Sequence, residues 1–309
     1  MSFIRFHQKD AIHFVTNRIE HQMFLLLPTK QVNELILYWL ARARVEYGDG
    51  IDIFGFIFLS NHFHILLRDT SGNLASFMNY FQGNLGAAVN AHWGRKGTFW
   101  QDSYHDLIVH GENEFWNRYA YTLANPVKSG LVGAPSQWRG ISALPYLLDN
   151  KPIHVRGLLK SRFNESCRFR RNVNRQDFER TWTFHLATPP GFEKKPHDRL
   201  VEFTRQLLQS ACAKYRKDRA WKAPLGMQKV LQQHPFAHPS KVERKRRTRF
   251  FCLDRAKLES LEESYRAFAD HYRECVLALR RCGRRVGWAT RMEWPVWSYP
   301  PCHLVPVGY

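Results

Sequence analysis

The 309-residue sequence lacks any run of about 18 apolar residues, the length that a membrane-spanning helix requires. Its first residues contain no apolar stretch of the kind found in signal peptides. All six cysteines lie in the second half, and no two of them form a Cys-x-x-Cys pair. We therefore expect a cytoplasmic protein with reduced thiols and no membrane partner. A structural zinc site is the less favoured alternative.

Acidic residues are scarce relative to basic ones, but only in the second half. The formal net charge is +19, from 46 Lys and Arg against 27 Asp and Glu. Residues 1–150 hold 12 residues of each sign, so the whole excess lies in residues 151–309. A basic region joined to a neutral one is typical of proteins that bind polyanions, and nucleic acid is the expected partner. A basic surface that serves only solubility is the alternative.

The charge balance changes at residues 148–152, where Asn, Asp and Pro favour a turn. We place a boundary there, between a first domain of residues 1–149 and a basic, mainly helical DNA-binding extension of residues 150–309. Basic clusters in the extension alternate with aromatic residues such as Phe169 and Trp221, a composition suited to phosphates and unpaired bases. The candidate DNA-binding residues are Arg168, Arg170, Arg171, Arg216, Lys217, Arg244, Lys245, Arg246, Arg247, Arg284 and Arg285.

Hydrophobic periodicity predicts alternating strands and helices in the first domain. Strands are predicted at residues 11–18, 51–59, 62–68 and 104–109, and helices at residues 31–47, 72–93 and 112–124. The order β-α-β-β-α-β indicates a ferredoxin-like α+β fold, with helices on one face of an antiparallel sheet. The other face is expected to be open, and a strand of nucleic acid could lie there.

A His-x-His motif opens the third predicted strand. Side chains alternate along a strand, so His62 and His64 point to the same face, about 7 Å apart. Two imidazoles in that arrangement form half of a divalent-metal site. Two surface histidines on an open sheet face are the alternative interpretation.

A second motif lies in the helix predicted from residue 112. Tyr121 and Asn125 stand four residues apart and share a helix face, so a hydroxyl nucleophile and an amide oxygen are presented together. Tyr119 is a competing nucleophile. It lies about 200° round the helix from Tyr121, so both tyrosines cannot serve.

The two motifs resemble those of the REP-associated tyrosine transposases, single-tyrosine members of the HUH endonuclease superfamily. Their hallmarks are His-hydrophobic-His, matched by residues 62–64, and Tyr-x-x-x-Asn-Pro-Val-(Arg/Lys)-x-Gly-(Leu/Met)-Val, matched by residues 121–132. The resemblance covers roughly residues 10–140, and its register favours Tyr121 over Tyr119. Thr122 and Ala124 are smaller than the residues usual at these positions, which affects helix packing more than chemistry.

The resemblance implies an HUH nuclease fold for residues 1–149 and a metal-dependent transposase that cuts and rejoins single-stranded or hairpin DNA through a 5′-phosphotyrosine. Tyr121 would be the nucleophile, and His62, His64 and Asn125 would hold Mg²⁺ or Mn²⁺. Imidazole suits Mn²⁺ better than Mg²⁺, and an amide oxygen suits both cations. The chain would be a bacterial protein, either a monomer or a homodimer.

Several alternatives stay open at this point. Asp102, Asp106, Glu112 and His105 are near enough in sequence to be substitute ligands. A domesticated protein that binds hairpin DNA without cutting it is the main functional alternative. The signature aromatics of RNA-recognition domains are not found, and the Asn-Pro-Val segment argues against a relaxase.

Overall fold

The computed structural model describes residues 6, 10–170, 172–239 and 248–281. Its strands are β1 Ala11–Arg18, β2 Ile51–Phe58, β3 His62–Asp69, β4 His105–Val109, β5 Ile153–Leu158, β6 Glu179–Phe184 and β7 Phe250–Phe251. Its helices are α1 Lys30–Tyr47, α2 Leu74–His92, α3 Glu112–Leu123, α4 Asn125–Lys128, α5 Leu144–Leu148, α6 Lys160–Phe169, α7 His197–Asp218, α8 Met227–Leu231 and α9 Arg255–Arg281. The seven elements predicted for the first domain are present, with ends within two residues of the predicted ones.

The main sheet has the strand order β2-β3-β1-β4-β7. The first four strands pair antiparallel, and with α1 and α2 they form the predicted β-α-β-β-α-β arrangement. This confirms the ferredoxin-like α+β fold. The fifth strand, β7, joins β4 in parallel from more than 130 residues further along the chain, which periodicity did not predict.

Short polar contacts explain where the first two helices begin. The Thr29 hydroxyl accepts a hydrogen bond from the Val32 amide at 3.3 Å and caps α1. The buried Asp69 carboxylate, at the end of β3, accepts hydrogen bonds from three amides that lead into α2, including that of Leu74 at 2.9 Å. One carboxylate thus ends a strand and starts the next helix, which also places negative charge at the positive end of the helix dipole.

Helices cover both faces of the sheet. On one face, Phe63 of β3 packs edge-on against Phe81 of α2, with ring centroids 5.9 Å apart. On the other face, Phe115 of α3 packs against Phe54 of β2 at 5.2 Å. The expectation that this second face is open is therefore wrong for β2 and β3, because α3 brings an apolar side that needs burial.

The second half of the chain packs against the first at several places. The two-stranded sheet of β5 and β6 lies on α1, where Tyr38 contacts Trp182 at 5.2 Å between ring centroids. Helix α7 lies against α3, with the ring centroids of Phe203 and Trp116 4.7 Å apart, and β7 pairs with β4. Core residues from both sides of residue 149 belong to one hydrophobic cluster. The division at 149/150 itself stays a prediction.

No helix in the described ranges is long and apolar enough to cross a bilayer.

Candidate active site

His62 and His64 lie at the start of β3, with their ring centroids 5.0 Å apart and the rings nearly perpendicular. The Nδ1 atom of His62 is 2.7 Å from the Asn61 side-chain oxygen, a hydrogen bond that orients the ring. His64 stacks on Phe14 of β1 at 4.9 Å, with the ring planes 20° apart. Both rings are thus held in place, His62 by Asn61 just before β3 and His64 by Phe14 of β1.

His64 is only 5% exposed. Neither of its ring nitrogens has a hydrogen-bond partner among the residues that the structure describes. Buried polar atoms are nearly always hydrogen-bonded, so two unsatisfied nitrogens on one buried ring require an explanation. Coordination of a cation through one of them would supply it, because neutral imidazole is a common metal ligand.

The electrostatic surroundings keep both imidazoles neutral. Burial, with a smaller effect from the charges of Arg18 and Lys128, lowers the pKa of His62 to about 3. Burial, followed by the charges of His62 and the nearby cations, lowers the pKa of His64 well below its ordinary value. Burial, aided by the nearby positive charges, disfavours protonation and leaves the ring nitrogens able to coordinate a metal. The positive charges also favour the approach of an anion such as phosphate.

Tyr121 of α3 packs edge-on against His64. Its ring centroid is 5.2 Å from that of His64 and 5.7 Å from that of Phe14. Two cations flank the ring, with Lys128 Nζ 5.0 Å and Arg118 Cζ 5.6 Å from its centroid. The hydroxyl-bearing side chain is only partly buried. A tyrosine, two imidazoles and two cations therefore converge at one end of the sheet.

Tyr119 has different surroundings. It is fully buried and stacks on Phe115, with ring centroids 5.8 Å apart. Burial raises the pKa of its hydroxyl, so the nucleophilic phenolate is harder to form there than at an exposed tyrosine. Of the two tyrosines considered as nucleophiles, the geometry favours Tyr121.

Arg118 was not among the site residues predicted from the sequence. Its guanidinium lies 3.7 Å from the ring centroid of Phe251 in β7 and 5.3 Å from that of Phe14. Burial, opposed by the nearby Tyr121 and Tyr215, lowers its pKa. Its position three residues before Tyr121, on the same helix face, was the available signal.

Asn125 begins α4 and is 1% exposed. Its side-chain oxygen accepts a hydrogen bond from the Ser129 hydroxyl at 3.0 Å and keeps a second lone pair. Across the described ranges, no three His, Cys, Asp or Glu side chains converge to hold a metal ion. The predicted ligand set has two histidines and one asparagine, so the lack of such a cluster does not test it. The ligand set stays a prediction.

The structure shows the surroundings of two of the substitute ligands, Asp106 and His105. Asp106 pairs with Val15 in the sheet register and so faces away from His64, which is opposite Thr16. Its carboxylate lies 2.8 Å from Nδ1 of the buried His13 on that opposite face. Asp106 is therefore excluded as a ligand for the histidine pair. The Nε2 atom of His105 lies 2.7 Å from the Thr248 carbonyl oxygen.

The candidate DNA-binding residues are scattered over the extension. Arg168 and Arg170 are exposed at the end of α6, and Lys217 is exposed near the end of α7. Arg216 is partly buried and donates a hydrogen bond to the Gly133 carbonyl oxygen at 2.7 Å. Seven candidates lie outside the described residues, namely Arg171, Arg244, Lys245, Arg246, Arg247, Arg284 and Arg285. DNA contact by all of these residues stays a prediction.

Comparison with known proteins gives structural similarity only. No protein-family model matches the chain, and no curated protein matches it. A candidate transposase from Deinococcus radiodurans R1 has a similar structure, with 16% identity and a TM-score of 0.28 over 40% of this chain and 97% of its own. The chain is also similar, over 48% of its length and 86% of the other chain, to a REP-associated tyrosine transposase solved with a REP hairpin, with 18% identity and a TM-score of 0.41.

Proposed function

We propose that the protein is a metal-dependent transposase that cleaves and rejoins single-stranded, hairpin-forming DNA through a 5′-phosphotyrosine on Tyr121. One observation carries the proposal. The ring of Tyr121 packs against His64, a buried histidine whose two ring nitrogens have no hydrogen-bond partner among the described residues. A sheet histidine with a purely structural role would be expected to have such a partner.

His62, His64 and Asn125 would hold the cation, which is Mg²⁺ or Mn²⁺ in this proposal. The donor set fits, since two neutral imidazoles and an amide oxygen together suit Mn²⁺ and, less well, Mg²⁺. When bound, the cation supplies positive charge that polarises the scissile phosphate. The hydrogen bond from Ser129 would keep the Asn125 amide oriented.

The covalent step exchanges one phosphate ester for another. The Tyr121 oxygen forms a bond to phosphorus while the bond from phosphorus to the 3′ oxygen breaks. The tyrosine proton passes to solvent, and the released 3′ oxygen takes up a proton to become a hydroxyl. Attack by a 3′ hydroxyl on the phosphotyrosine reverses these changes, so DNA is rejoined without an external energy source.

Arg118 and Lys128 would stabilise the negative charge that develops on the phosphate oxygens. Both cations lie within 6 Å of the Tyr121 ring centroid. Arg118 is also packed against Phe251 and Phe14, so little side-chain entropy is lost when it contacts a phosphate. Prearranged positive charge of this kind is commonly the largest contribution to catalysis.

The test uses hairpin oligonucleotides from the DNA that flanks the gene, labelled at the 5′ or the 3′ end, with Mn²⁺ or with EDTA. We expect a covalent adduct on the 5′ end of the downstream fragment only with Mn²⁺. Tyr121→Phe should reduce the adduct about 1,000-fold or more. Tyr119→Phe is the matched control, because Tyr119 is fully buried and lies two residues before Tyr121. This variant also loses one tyrosine hydroxyl, but it should still form the adduct.

Equal loss in both tyrosine variants would contradict the assignment of Tyr121. Tight hairpin binding with no cleavage under any divalent cation would replace the transposase proposal with a hairpin-binding protein.

A further inference from the structure

The turn that follows α7 holds a tryptophan out in solvent. Trp221 is 68% exposed to solvent. Ala220 and Trp221 both adopt the left-handed conformation, with φ of 49° and 56°. Residues with a Cβ atom rarely do so, and two in succession are less common still. Such a conformation persists only where surrounding contacts impose it, and it is associated with functional positions.

Hydrogen bonds impose this conformation. The Trp221 amide donates to the Arg216 carbonyl oxygen at 2.9 Å, and the Ala220 amide donates to the Lys217 carbonyl oxygen at 2.8 Å. These bonds close the end of α7 and direct the chain away from the helix axis. The indole is therefore presented by a defined backbone and not by a free loop end.

The chain on both sides of this turn is tied to the segment that follows the proposed nucleophile. The Leu225 amide donates to the Gly130 carbonyl oxygen at 2.8 Å, and the Gly226 amide donates to that of Leu131 at 2.9 Å. The Arg216 guanidinium adds a third bond, to the Gly133 carbonyl oxygen at 2.7 Å. Gly130, Leu131 and Gly133 lie within or directly after the Asn-Pro-Val motif segment, so the turn and this segment are held together.

Tyr215 limits the distance from this turn to the site. Burial raises the pKa of the Tyr215 hydroxyl, and Tyr121 and Arg118 are close enough to act on that pKa as well. Six residues of extended chain span about 20 Å at most, so Trp221 cannot lie much further than that from Tyr215. A single DNA strand whose phosphate is at Tyr121 would reach Trp221 within a few nucleotides.

The charge around Trp221 suits that strand. Residues 214–222 contain five basic residues and one acidic residue. Lys214, Lys217 and Lys222 are exposed, and none of them forms an ion pair within the described ranges. Lysines with no acidic partner beside an exposed aromatic ring are the composition of surfaces that bind unpaired nucleotides.

We propose that Trp221 stacks on an unpaired nucleobase of the DNA strand that enters the Tyr121 site, while Lys217 and Lys222 contact the flanking phosphates. This inference rests on the proposed function, and it adds a contact outside the catalytic residues. Stacking on an aromatic face tolerates any base, so Trp221 would fix the path of the strand and not its sequence.

The test measures binding to fluorescently labelled DNA by anisotropy, in EDTA and with Tyr121→Phe protein, so that no cleavage is needed. The two probes are a hairpin with a single-stranded extension and the same hairpin with blunt ends. Trp221→Ala should weaken binding to the extended hairpin about tenfold or more and should leave binding to the blunt hairpin unchanged. Trp221→Phe should retain most of the affinity, because it keeps an aromatic face.

Abasic substitutions along the extension identify the stacked base. At one position, loss of the base should weaken binding by the Trp221-containing protein and have no effect on Trp221→Ala. Leu253→Ala is the matched control, because Leu253 is 66% exposed and apolar but not aromatic. It should bind both probes normally. Thermal unfolding of each variant verifies that the fold is retained.

Equal loss on both probes, or no position at which the base and Trp221 depend on each other, would overturn the inference. These outcomes are separate from failure of the proposed function. If binding depends on the base and on Trp221 but no cleavage occurs, the stacking site is supported and the proposed enzymatic activity is contradicted. If cleavage at Tyr121 occurs and neither binding nor cleavage depends on Trp221, the proposed activity is supported and the stacking site is contradicted.

Discussion

At the scale of single residues, His64 combines deep burial with two ring nitrogens that lack a hydrogen-bond partner among the described residues. An unsatisfied buried polar group destabilises the folded state by about 1–3 kcal/mol. We expect His64→Phe to raise the free energy of unfolding by about 1 kcal/mol in EDTA, because phenylalanine retains the stacking on Phe14. The measurement is urea unfolding followed by circular dichroism.

The His64→Phe variant should also lose the stabilisation by a bound metal ion. Mn²⁺ should raise the melting temperature of the wild type but not that of His64→Phe, since a ligand that binds only the native state stabilises it. His62→Phe is the control, because it breaks the hydrogen bond with Asn61 and should not be stabilised in EDTA. A His64→Phe protein that is less stable than wild type in EDTA would indicate a structural role.

His13 and Asp106 form a buried pair on the opposite face of the sheet. Burial acts to lower the pKa of His13, but the charge and hydrogen bond of Asp106, with the charge of Asp69, outweigh it, and the pKa is raised. A raised pKa in the folded state means that protonated His13 stabilises the fold fully below pH 6.5. That contribution is lost as the pH rises through the raised value.

Asp106→Asn should therefore cost about 3 kcal/mol near pH 6, and the cost should shrink at higher pH as His13 loses its proton. Unfolding free energies of both proteins from pH 5.5 to 9 would give the difference curve. A difference that stays constant, or that grows with pH, would contradict the assigned charge state.

At the scale of elements, Gly111 determines how α3 begins and therefore where Tyr121 lies. Its φ is +108°, and a Cβ atom there would collide with the Glu114 carboxylate. That carboxylate cannot easily move, because it accepts a hydrogen bond from the Leu253 amide at 2.7 Å. The turn into α3 and the chain entering α9 are thus linked through one glutamate.

Gly111→Ala should lower the free energy of unfolding by about 3 kcal/mol, from backbone strain and the collision together. Gly94→Ala is the matched control. Gly94 also has a positive φ, of +63°, but nothing lies within 4 Å of the added Cβ, so only about 1 kcal/mol is expected. Equal losses in the two variants, measured by denaturant unfolding, would show that the collision has no effect.

At the scale of the whole molecule, the second half of the chain completes the core of the first. Trp116, Tyr38 and β4 each have a packing partner beyond residue 149. A fragment of residues 1–149 would expose these aromatic groups and leave β4 as an open sheet edge. Each large side chain that loses burial costs about 1.5–3 kcal/mol.

We expect the fragment to melt at least about 10 °C below the full chain and to bind the dye ANS. Calorimetry and dye fluorescence would measure both, with the full chain as the reference. A fragment as stable as the full chain would instead support the boundary at 149/150 as a division between independent domains.

Local periodicity accounts for much of what was predicted from the sequence. The alternation of side chains along a strand placed His62 and His64 together, and the helix repeat placed Tyr121 away from Tyr119. The order of strands and helices was enough to predict the antiparallel sheet, because short connections and handedness leave few alternatives. These properties depend on neighbours within a few residues, so they are readable from the sequence alone.

The tertiary structure decided the rest, because those contacts join residues far apart in sequence. The register of β4 against β1 turned Asp106 to the face of His13 and away from the histidine pair. The packing of α3 covered a face expected to be open and placed Tyr121 beside His64. The pairing of β7 with β4 placed Phe251 under Arg118 across more than 130 residues. No local pattern encodes such pairings, since they depend on how separate apolar surfaces are buried together.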